Sequence, residues 1–561
     1  MTRTAVVTAA AKGGVTLLLA GVVAALAVHV CARWFGLPIV GGAAVAQLLF
    51  IWLGIGGLAV FAAGEGGSQP NWRQFGLSFI LAFAAIRLGW GAVQAGSMIG
   101  GTEAVTGLAQ WVRYAGAGAI AGSACIVACI GHWSRVVGVL AGAALALILP
   151  PLPFYAAAIG FAALLALRCP PALALLSAGT TADLGLSEPA FAQTILRGLN
   201  LSVLLAVPLF ILAAGCLVAS GLAGRLVDLA QHLTRHRRTA MAEANVLASG
   251  LFGGFSGSSL ADAALGGRLL VPAMVQAGYG SKTAVALTAS ASLLPNILPP
   301  SLALLLAAAV TNQSVAALWL AGVGAGATLG LLLWGATRLV PPTGSALGAA
   351  VKTEERPSWG VALAPLLGIA LILVGLRGGF VTATEAGLVA VLAALGHGLA
   401  TTGPKAMVAA FTAAADQTAR IALLIGAVAP LSFFIATSGF SPSALLEGFG
   451  GWTLALLVLG VALVAGTVLD VGAGILLLLP LLLPQLMSAG FDPLQATVAL
   501  TVVMLAGGLT PPVGLLVLTV AQVSAQPPAW VAVLPYLALI LLAALLILAI
   551  PALTLWLPTR L

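Results

Sequence analysis

The sequence predicts an all-α polytopic membrane protein with two re-entrant hairpins and two broken helices. Of its 561 residues, 61% are hydrophobic and only 6% are charged, which is far more apolar than a soluble domain. Apolar runs of about 20 residues, the length of a membrane-spanning helix, recur along nearly the whole chain. In the C-terminal two thirds, a motif that interrupts such runs with Gly and Pro occurs twice.

The formal net charge of +8 does not indicate nucleic acid, because Lys and Arg are scattered at segment ends rather than gathered in a stripe. The positive-inside rule accounts for the excess. The chain has no phosphate-binding Walker A motif and no soluble nucleotide domain. We therefore expect the lipid bilayer as its surroundings, with neither nucleic acid nor an ATPase subunit as partner.

Four apolar segments form an N-terminal group. They lie near residues 13–30, 40–63, 75–95 and 105–130. A short polar patch at 132–135 follows them, so we predict a four-helix domain over 1–136 and a larger domain over 137–561. A hydrophilic loop that begins at Pro341 divides the larger domain into halves of about 200–340 and 361–557.

One stretch of the larger domain is too polar to cross the membrane. Residues 221–238 read GLAGRLVDLAQHLTRHRR, an amphipathic pattern with a basic end. They form either a helix along the membrane surface or an ordinary basic loop. Both interpretations place the stretch on the cytoplasmic side.

The duplicated motif begins at Ala261 and at Leu469. In both copies an Asp is followed ten residues later by a Pro, and a Gly is followed twenty-one residues later by a Pro-Pro pair. These landmarks are Asp262, Pro272, Gly278 and Pro299 in the first copy and Asp470, Pro480, Gly490 and Pro511 in the second. We predict that Asp262 corresponds to Asp470, with a four-residue insertion between the two blocks of the second copy.

Paired interruptions in corresponding halves of a polytopic membrane protein indicate a binding site near the membrane midplane. Unwound carbonyls there suit a small cation, and helix N-termini suit an anion. The alternative is a pair of kinked helices that only pack, but this does not explain the Asp residues beside the breaks. An acid at membrane depth costs about 2.5–3.5 kcal/mol, so Asp262 and Asp470 either accept backbone amides or help to bind a cation.

Two further charged residues lie in apolar segments. Arg268 follows Asp262 by six residues and pairs with an acid or meets an anionic substrate. Glu385, in TATEAG, opens an apolar segment, so we expect an interfacial or capping acid rather than a ligand.

Several motifs together resemble the large membrane subunit of the tripartite ATP-independent periplasmic (TRAP) transporters. The resemblance covers about residues 137–557, and the preceding group has the size of the family's small membrane subunit. The matching motifs are PLFILAAGCL at Pro208, LFGGFSGSSLADAA at Leu251, ILPPS at Ile297, TATEAG at Thr382, GTVLD at Gly466, GFDP at Gly490 and GGLTPPVG at Gly507.

The resemblance implies a fusion of the small and large subunits and a fold of inverted repeats that transports by an elevator movement. It also implies a secondary transporter of the bacterial inner membrane that imports an organic acid. A separate periplasmic binding protein delivers the acid, sodium ions are the coupling ions, and no other cofactor is required.

The resemblance also assigns residues to sites. The first ion site draws on Ser256, Gly257 and Ser258 with the broken helix from Ser292 to Pro299. The second draws on Gly466, Asp470, Gly507, Gly508 and Thr510. Apart from the resemblance, we expect the substrate site to draw on Ser258, Arg268, Asn296 and Thr510.

The sequence departs from the family pattern near both breaks. Small hydroxyl residues and a Gly are usual where Ala291, Leu293 and Pro295 stand, an Asn is common at Val503, and a small residue is usual at Arg268. Backbone carbonyls could replace the missing hydroxyl ligands of the first site, or a proton could replace one sodium ion.

Two other functions are compatible with parts of the sequence. The string GFSG at Gly254 is similar to the nucleophile motif of intramembrane serine proteases, which require a histidine base; His397 is the candidate, without a supporting motif. The second alternative is a channel or a membrane scaffold that does not transport. Paired broken helices argue against a scaffold, and a channel would conduct without a binding protein.

Overall fold

The computed structural model describes residues 3–34, 42–64, 171–181, 188–256, 258–340, 342, 359–437 and 448–560. Within these ranges every regular element is a helix. The all-α prediction is therefore confirmed for the described residues. The third and fourth N-terminal segments, and the predicted boundary after residue 136, lie outside them.

Seven helices within the described ranges are long and apolar enough to cross a membrane. Long apolar helices satisfy their own backbone groups, which is what a bilayer interior requires. The predicted polytopic class is confirmed. The seven spans are Ala9–Arg33, Ser202–Ala219, Val315–Thr337, Ala383–Thr401, Pro404–Phe433, Val471–Ser488 and Trp530–Ala549.

The chain divides into two compact units. The first contains residues 1–212 and 408–440, and the second contains residues 213–407 and 441–561. The helices that belong wholly or mainly to the first unit are α1 (Arg3–Trp34), α2 (Gly42–Gly64), α3 (Pro171–Thr181), α4 (Glu188–Leu199) and, later in the chain, α14 (Pro404–Thr437).

Small residues bring α2 and α14 together within the first unit. A Cβ built on Gly57 would lie 2.5 Å from the carbonyl oxygen of Ala419, so only glycine allows this approach. The Gln47 amide donates to the Leu199 carbonyl over 3.0 Å. Close backbone packing through glycine and alanine is typical of helices in membranes.

The second unit contains two copies of one helix order. The first copy comprises α7 (Ala240–Ser256), α8 (Ser259–Gln276), α9 (Ser281–Ala291), α10 (Leu302–Thr311) and α11 (Val315–Thr337). The second comprises α15 (Gly451–Gly466), α16 (Val471–Ser488), α17 (Pro493–Gly507), α18 (Leu515–Val523) and α19 (Trp530–Ala549). In each copy two helices form a hairpin, and the next two are the halves of one broken helix.

The remaining helices precede, join or follow the two copies. They are α5 (Ala206–Ala219), which begins in the first unit and ends in the second, α6 (Leu222–Thr234), α12 (Trp359–Arg377), α13 (Ala383–Thr401) and α20 (Ala552–Arg560).

The structure corrects the predicted register of the repeat. Helices α8 and α16 both have 18 residues, and the residue before each is its N-cap, Ser258 in one and Asp470 in the other. Twenty residues after each cap lies a glycine of positive φ, Gly278 at 90° and Gly490 at 93°. The two copies therefore correspond at a constant offset of 212 residues, and the predicted four-residue insertion is wrong.

The sequence suggested the wrong register because α16 contains two prolines. Pro480 lies ten residues after Asp470 and mimics the interval from Asp262 to Pro272, whereas the true counterpart of Pro272 is Pro484. Both of these prolines lie six residues before the turn glycine. At the corrected offset, the counterpart of Asp262 is Gly474.

The two copies pack on each other reciprocally. Helix α8 of the first hairpin contacts α18, the second half of the other copy's broken helix, and α16 of the second hairpin contacts α10 in the same way. Helix α9 contacts α19, while α17 contacts α11. The exchange of equivalent contacts supports a single internal duplication.

The amphipathic stretch forms helix α6. Its apolar side is buried in a cluster that includes Leu222, Leu226, Phe252 of α7 and Leu270 of α8, while Arg225 and Asp228 are exposed. The helical alternative is therefore confirmed, and protein rather than lipid covers most of its apolar face.

Candidate functional site

The first hairpin tip meets the first broken helix through Asn296. This residue ends a short 3₁₀ turn, Leu294–Asn296, that follows α9. Its amide nitrogen donates to the Ser259 hydroxyl over 2.8 Å, and both side chains are buried. Ser258 lies next to this contact and caps α8 by accepting from the Ala261 amide over 3.4 Å. The structure thus brings Ser258 and Asn296 to one place.

A serine side chain compensates for the missing amides of the first Pro-Pro pair. In a continuous helix the Asn296 carbonyl would accept from residue 300, which is a proline without an N–H. The Ser301 hydroxyl donates to that carbonyl instead, while the Ser301 oxygen also caps α10 by accepting from the Leu304 amide. The Trp319 indole donates to the Ser301 carbonyl over 3.2 Å and ties the break to α11.

Ser292, the other predicted hydroxyl ligand of the first site, ends α9. Its side chain is fully buried, and its hydroxyl donates to the Ala289 carbonyl over 2.7 Å. This bond uses the hydroxyl proton and leaves oxygen lone pairs free to accept or to coordinate.

Ser256 and Gly257 cannot be placed in the same way. Ser256 ends α7, but its side chain lies outside the described residues, and so does Gly257. Their predicted part in the first ion site stays a prediction.

The second hairpin tip meets the second broken helix through a close backbone approach. A Cβ on Gly466 would collide with the Met504 carbonyl oxygen, and a Cβ on Gly507 would fall on the backbone of Gly466. Glycine at both positions is therefore a packing requirement. The structure brings together Gly466 and Gly507, which the sequence had assigned to one ion site.

The other residues assigned to this site lie within four residues of these two glycines in the sequence. Thr510 donates its hydroxyl proton to the Gly507 carbonyl over 2.8 Å. Gly508 accepts from the Leu516 amide over 3.0 Å. Asp470 caps α16 through its Oδ2 atom, which accepts from the Gly472 amide over 3.2 Å, and its side chain is exposed.

Both breaks present backbone carbonyls without a donor. Within the described ranges, no hydrogen bond reaches the carbonyl oxygens of Leu298 and Pro299, or those of their counterparts Thr510 and Pro511. Such carbonyls are tolerated at membrane depth only where protein or water covers them. They are suitable ligands for a small hard cation.

Arg268 lies away from these contacts. It is exposed on α8, ten residues along the helix from Ser258, which is about 15 Å at 1.5 Å per residue. No ion pair to it is found within the described part of the chain. The structure therefore does not bring Arg268 together with Ser258, Asn296 or Thr510.

Glu385 has the capping role that the sequence indicated. Its carboxylate accepts from the Thr382 amide over 2.8 Å, and the Thr382 hydroxyl accepts from the Glu385 amide over 3.3 Å, which completes a capping box at the start of α13. His397 lies in the same helix, and that helix packs on α12.

Sequence reasoning missed a buried polar contact within the first repeat. The Asn245 amide of α7 donates to the Thr288 hydroxyl of α9 over 2.6 Å, and both residues are buried. Asn245 lies outside the duplicated motif, and Thr288 lies within it but is not one of its landmarks. The detectable signal was a lone Asn within the apolar run of α7, since buried polar groups need partners.

Paired hairpins that meet paired broken helices define a polytopic membrane transporter built from internal repeats. The chain belongs to the tripartite ATP-independent periplasmic transporter family: the model of its DctM component matches residues 158–553. It is a secondary transporter of the inner membrane and not an enzyme. The family membership excludes the protease interpretation of GFSG.

Characterised relatives agree with this assignment. The C4-dicarboxylate TRAP transporter large permease protein of Pseudomonas aeruginosa is 32% identical over 63% of this chain and 86% of its own length. The sialic acid TRAP transporter large permease protein of Vibrio cholerae is 31% identical over 65% of this chain and 88% of its own. The ectoine/5-hydroxyectoine TRAP transporter large permease protein of Ruegeria pomeroyi is 31% identical over 60% of this chain and 80% of its own length.

Proposed function

We propose that this protein imports a small organic acid across the inner membrane, driven by a sodium gradient, after a periplasmic binding protein delivers the acid. The observation that carries the proposal is that each break has two backbone carbonyl groups that accept no hydrogen bond from the described residues. Each set lies beside a hairpin tip, at Leu298–Pro299 in the first repeat and Thr510–Pro511 in the second. Two equivalent oxygen-lined breaks favour two equivalent cation sites.

The first proposed sodium site uses backbone where the family has side chains. Ser292 keeps oxygen lone pairs free, and the carbonyls of Leu298 and Pro299 lack donors. Ser256, Gly257 and Ser258 of the hairpin tip complete this site. The Asn296–Ser259 hydrogen bond holds the tip against the break, so binding of an ion and closure of the hairpin are linked.

The second proposed site has a negative charge that the first lacks. Asp470 lies at the start of α16, and Gly466, Gly507, Gly508 and Thr510 supply backbone or hydroxyl oxygens. Because a carboxylate attracts a cation more strongly than carbonyl dipoles do, we expect this site to have the higher sodium affinity.

We propose that the organic acid binds through its carboxylate. Relatives are named for C4-dicarboxylates, sialic acid and ectoine, whose shared group is a carboxylate. Ser258, Asn296 and Thr510 offer polar groups at the tips and breaks. Arg268 is exposed about 15 Å along α8 from Ser258, so it would attract the anion by its charge rather than contact it at the tips. An elevator movement would carry both hairpins with the substrate. The N-terminal helices would supply the small-subunit part of the system.

The test is uptake by proteoliposomes that contain the full chain, with a candidate binding protein outside. Labelled succinate, sialic acid and ectoine are compared under an inward sodium gradient, an inward proton gradient and no gradient. We expect saturable uptake of one of them that needs both the binding protein and sodium. Uptake that depends on the proton gradient alone would overturn the sodium assignment, and conductance without the binding protein would indicate a channel.

A further inference from the structure

A buried polar cluster lies inside the first hairpin, away from its tip. It comprises Asn245 and Ser249 on α7, Asp262 on α8 and Thr288 on α9, none of which is more than 2% exposed. Asn245 donates to Thr288 over 2.6 Å, and the Ser249 side chain lies close enough to Asp262 to interact with its carboxylate. Asn245 and Ser249 are four residues apart, so they share one face of α7.

Two oxygen atoms of this cluster have no partner. The Oδ1 atoms of Asp262 and Asn245 are fully buried and accept no hydrogen bond from the described residues. A buried acceptor without a donor costs about 1–3 kcal/mol, and more when it is charged. Both orphaned atoms therefore indicate a ligand, and that ligand must carry positive charge or donate.

The second repeat lacks the cluster entirely. At the constant offset, the counterparts of Asn245, Ser249, Asp262 and Thr288 are Leu457, Val461, Gly474 and Leu500. Apolar residues and a glycine occupy these positions, and two of them, Leu457 and Val461, are exposed. The face of α7 that buries Asn245 and Ser249 therefore has no buried equivalent on α15. The cluster is specific to the first repeat and needs an explanation of its own.

Charges elsewhere do not compensate Asp262. On the helices that pack against α8, the charged groups are Glu243 on α7 and Lys282 on α9. Glu243 pairs with Arg237 over 3.3 Å, and Lys282 is exposed at the start of its helix. Arg268, on α8 itself, is also exposed. No cation within the described ranges forms an ion pair with Asp262.

We infer that Asn245, Ser249, Asp262 and Thr288 form a third sodium site inside the first hairpin. The donor set is oxygen only, which suits a hard cation. Its single carboxylate balances one positive charge, so a monovalent ion fits better than Ca²⁺, which prefers several carboxylates. Gly266 contributes by lacking a side chain, because a Cβ there would lie 2.8 Å from Thr288 Cγ2 and push α9 away from the cluster.

The position of the site gives it a role in transport, and this role rests on the proposed sodium coupling. Asp262 lies one helical turn from Ser258 at the tip, a rise of about 6 Å. Opening of the Asn296–Ser259 contact would expose this turn to water and release the ion. The first hairpin would thus carry a side-chain site that supplements its backbone-based tip site.

The test is equilibrium binding of radioactive sodium to the purified full chain in detergent, without substrate. We expect Asp262→Asn to bind one sodium ion fewer per chain than the wild type. The matched control is Asp492→Asn, which changes an exposed carboxylate that caps α17 into another good cap, and it should bind as the wild type does. Equal stoichiometry and affinity in Asp262→Asn and the wild type would overturn the site and leave a buried water or proton as the occupant.

Ser249→Ala and Thr288→Val keep the carboxylate and remove one oxygen each. We expect each to weaken one sodium site about tenfold, which corresponds to about 1.4 kcal/mol. These variants decide the question if Asp262→Asn does not fold, since unchanged affinity in both would overturn the site. If all three variants bind sodium as the wild type does and still show sodium-driven uptake, the third site is wrong but the proposed function stands.

Discussion

The Asn296 amide nitrogen donates to the Ser259 hydroxyl over 2.8 Å and joins the first broken helix to the first hairpin. The two residues are 37 positions apart in sequence. Because both are buried, the bond is protected from competing water. At the second hairpin, a backbone contact between Gly466 and Gly507 joins the tip to its broken helix.

We predict that removing either partner weakens sodium-dependent uptake. Asn296→Ala leaves a buried hydroxyl with one donor fewer, and we expect a loss of about 1–3 kcal/mol in stability with a higher sodium concentration for half-maximal uptake. Ser259→Ala should act in the same direction. In the double variant the two effects should not add, because both remove one interaction. Additive effects on uptake would show that the residues act independently.

Gly466→Ala should abolish or strongly reduce uptake. The added methyl group would collide with the Met504 carbonyl oxygen, and relief of such a clash costs about 1–3 kcal/mol. Gly460→Ala is the matched control on the same helix, since a Cβ there meets nothing within 4 Å. Uptake and thermal unfolding of both variants are measured together, and equal uptake in the two would argue against the close approach.

Asp470 has two roles that substitution can separate. Asp470→Asn keeps a good N-cap for α16 while removing the charge, so we expect nearly unchanged stability and a clearly lower sodium affinity. Asp470→Ala should lose the cap as well, at about 1 kcal/mol. Sodium titration of uptake and thermal unfolding distinguish the roles. Wild-type sodium affinity in Asp470→Asn would limit Asp470 to capping.

Arg268→Ser tests the exposed guanidinium of α8. We expect unchanged thermal stability, because the side chain is exposed and forms no ion pair within the described ranges, and a higher KM for the anionic substrate. Arg268→Lys should recover part of the affinity by restoring the charge. If Arg268→Ser has an unchanged substrate range and KM, Arg268 takes no part in substrate binding.

Local backbone chemistry made the breaks and caps predictable. Each Pro-Pro pair removes two consecutive backbone N–H donors, so a helix is interrupted at Pro299 and at Pro511, whereas a single proline such as Pro272 lies within α8. The Thr382–Glu385 capping box is likewise a relation between near neighbours. These features depend on a few consecutive residues, and the structure has them where the sequence placed them.

The register of the repeat, in contrast, did not follow from such local relations. Asp262 and Asp470 share a residue type and an interval to a proline, but the helix starts show that Ser258 is the counterpart of Asp470. The shared Asp suggested the wrong correspondence, because either Ser or Asp can cap the N-terminus of a helix. Only the positions of the helix ends separated a cap from a buried acid one turn later.

The sequence by itself determined the membrane class, the family and the two broken helices, because these follow from apolar length, motif order and proline chemistry. Tertiary structure decided which residues meet: Asn296 with Ser259, Gly466 with Gly507, and Asn245 with Thr288. It also decided that Asp262 is buried while Arg268 is exposed, although both lie on α8. Such choices depend on which helix faces pack together, and that depends on long-range contacts that no local pattern encodes.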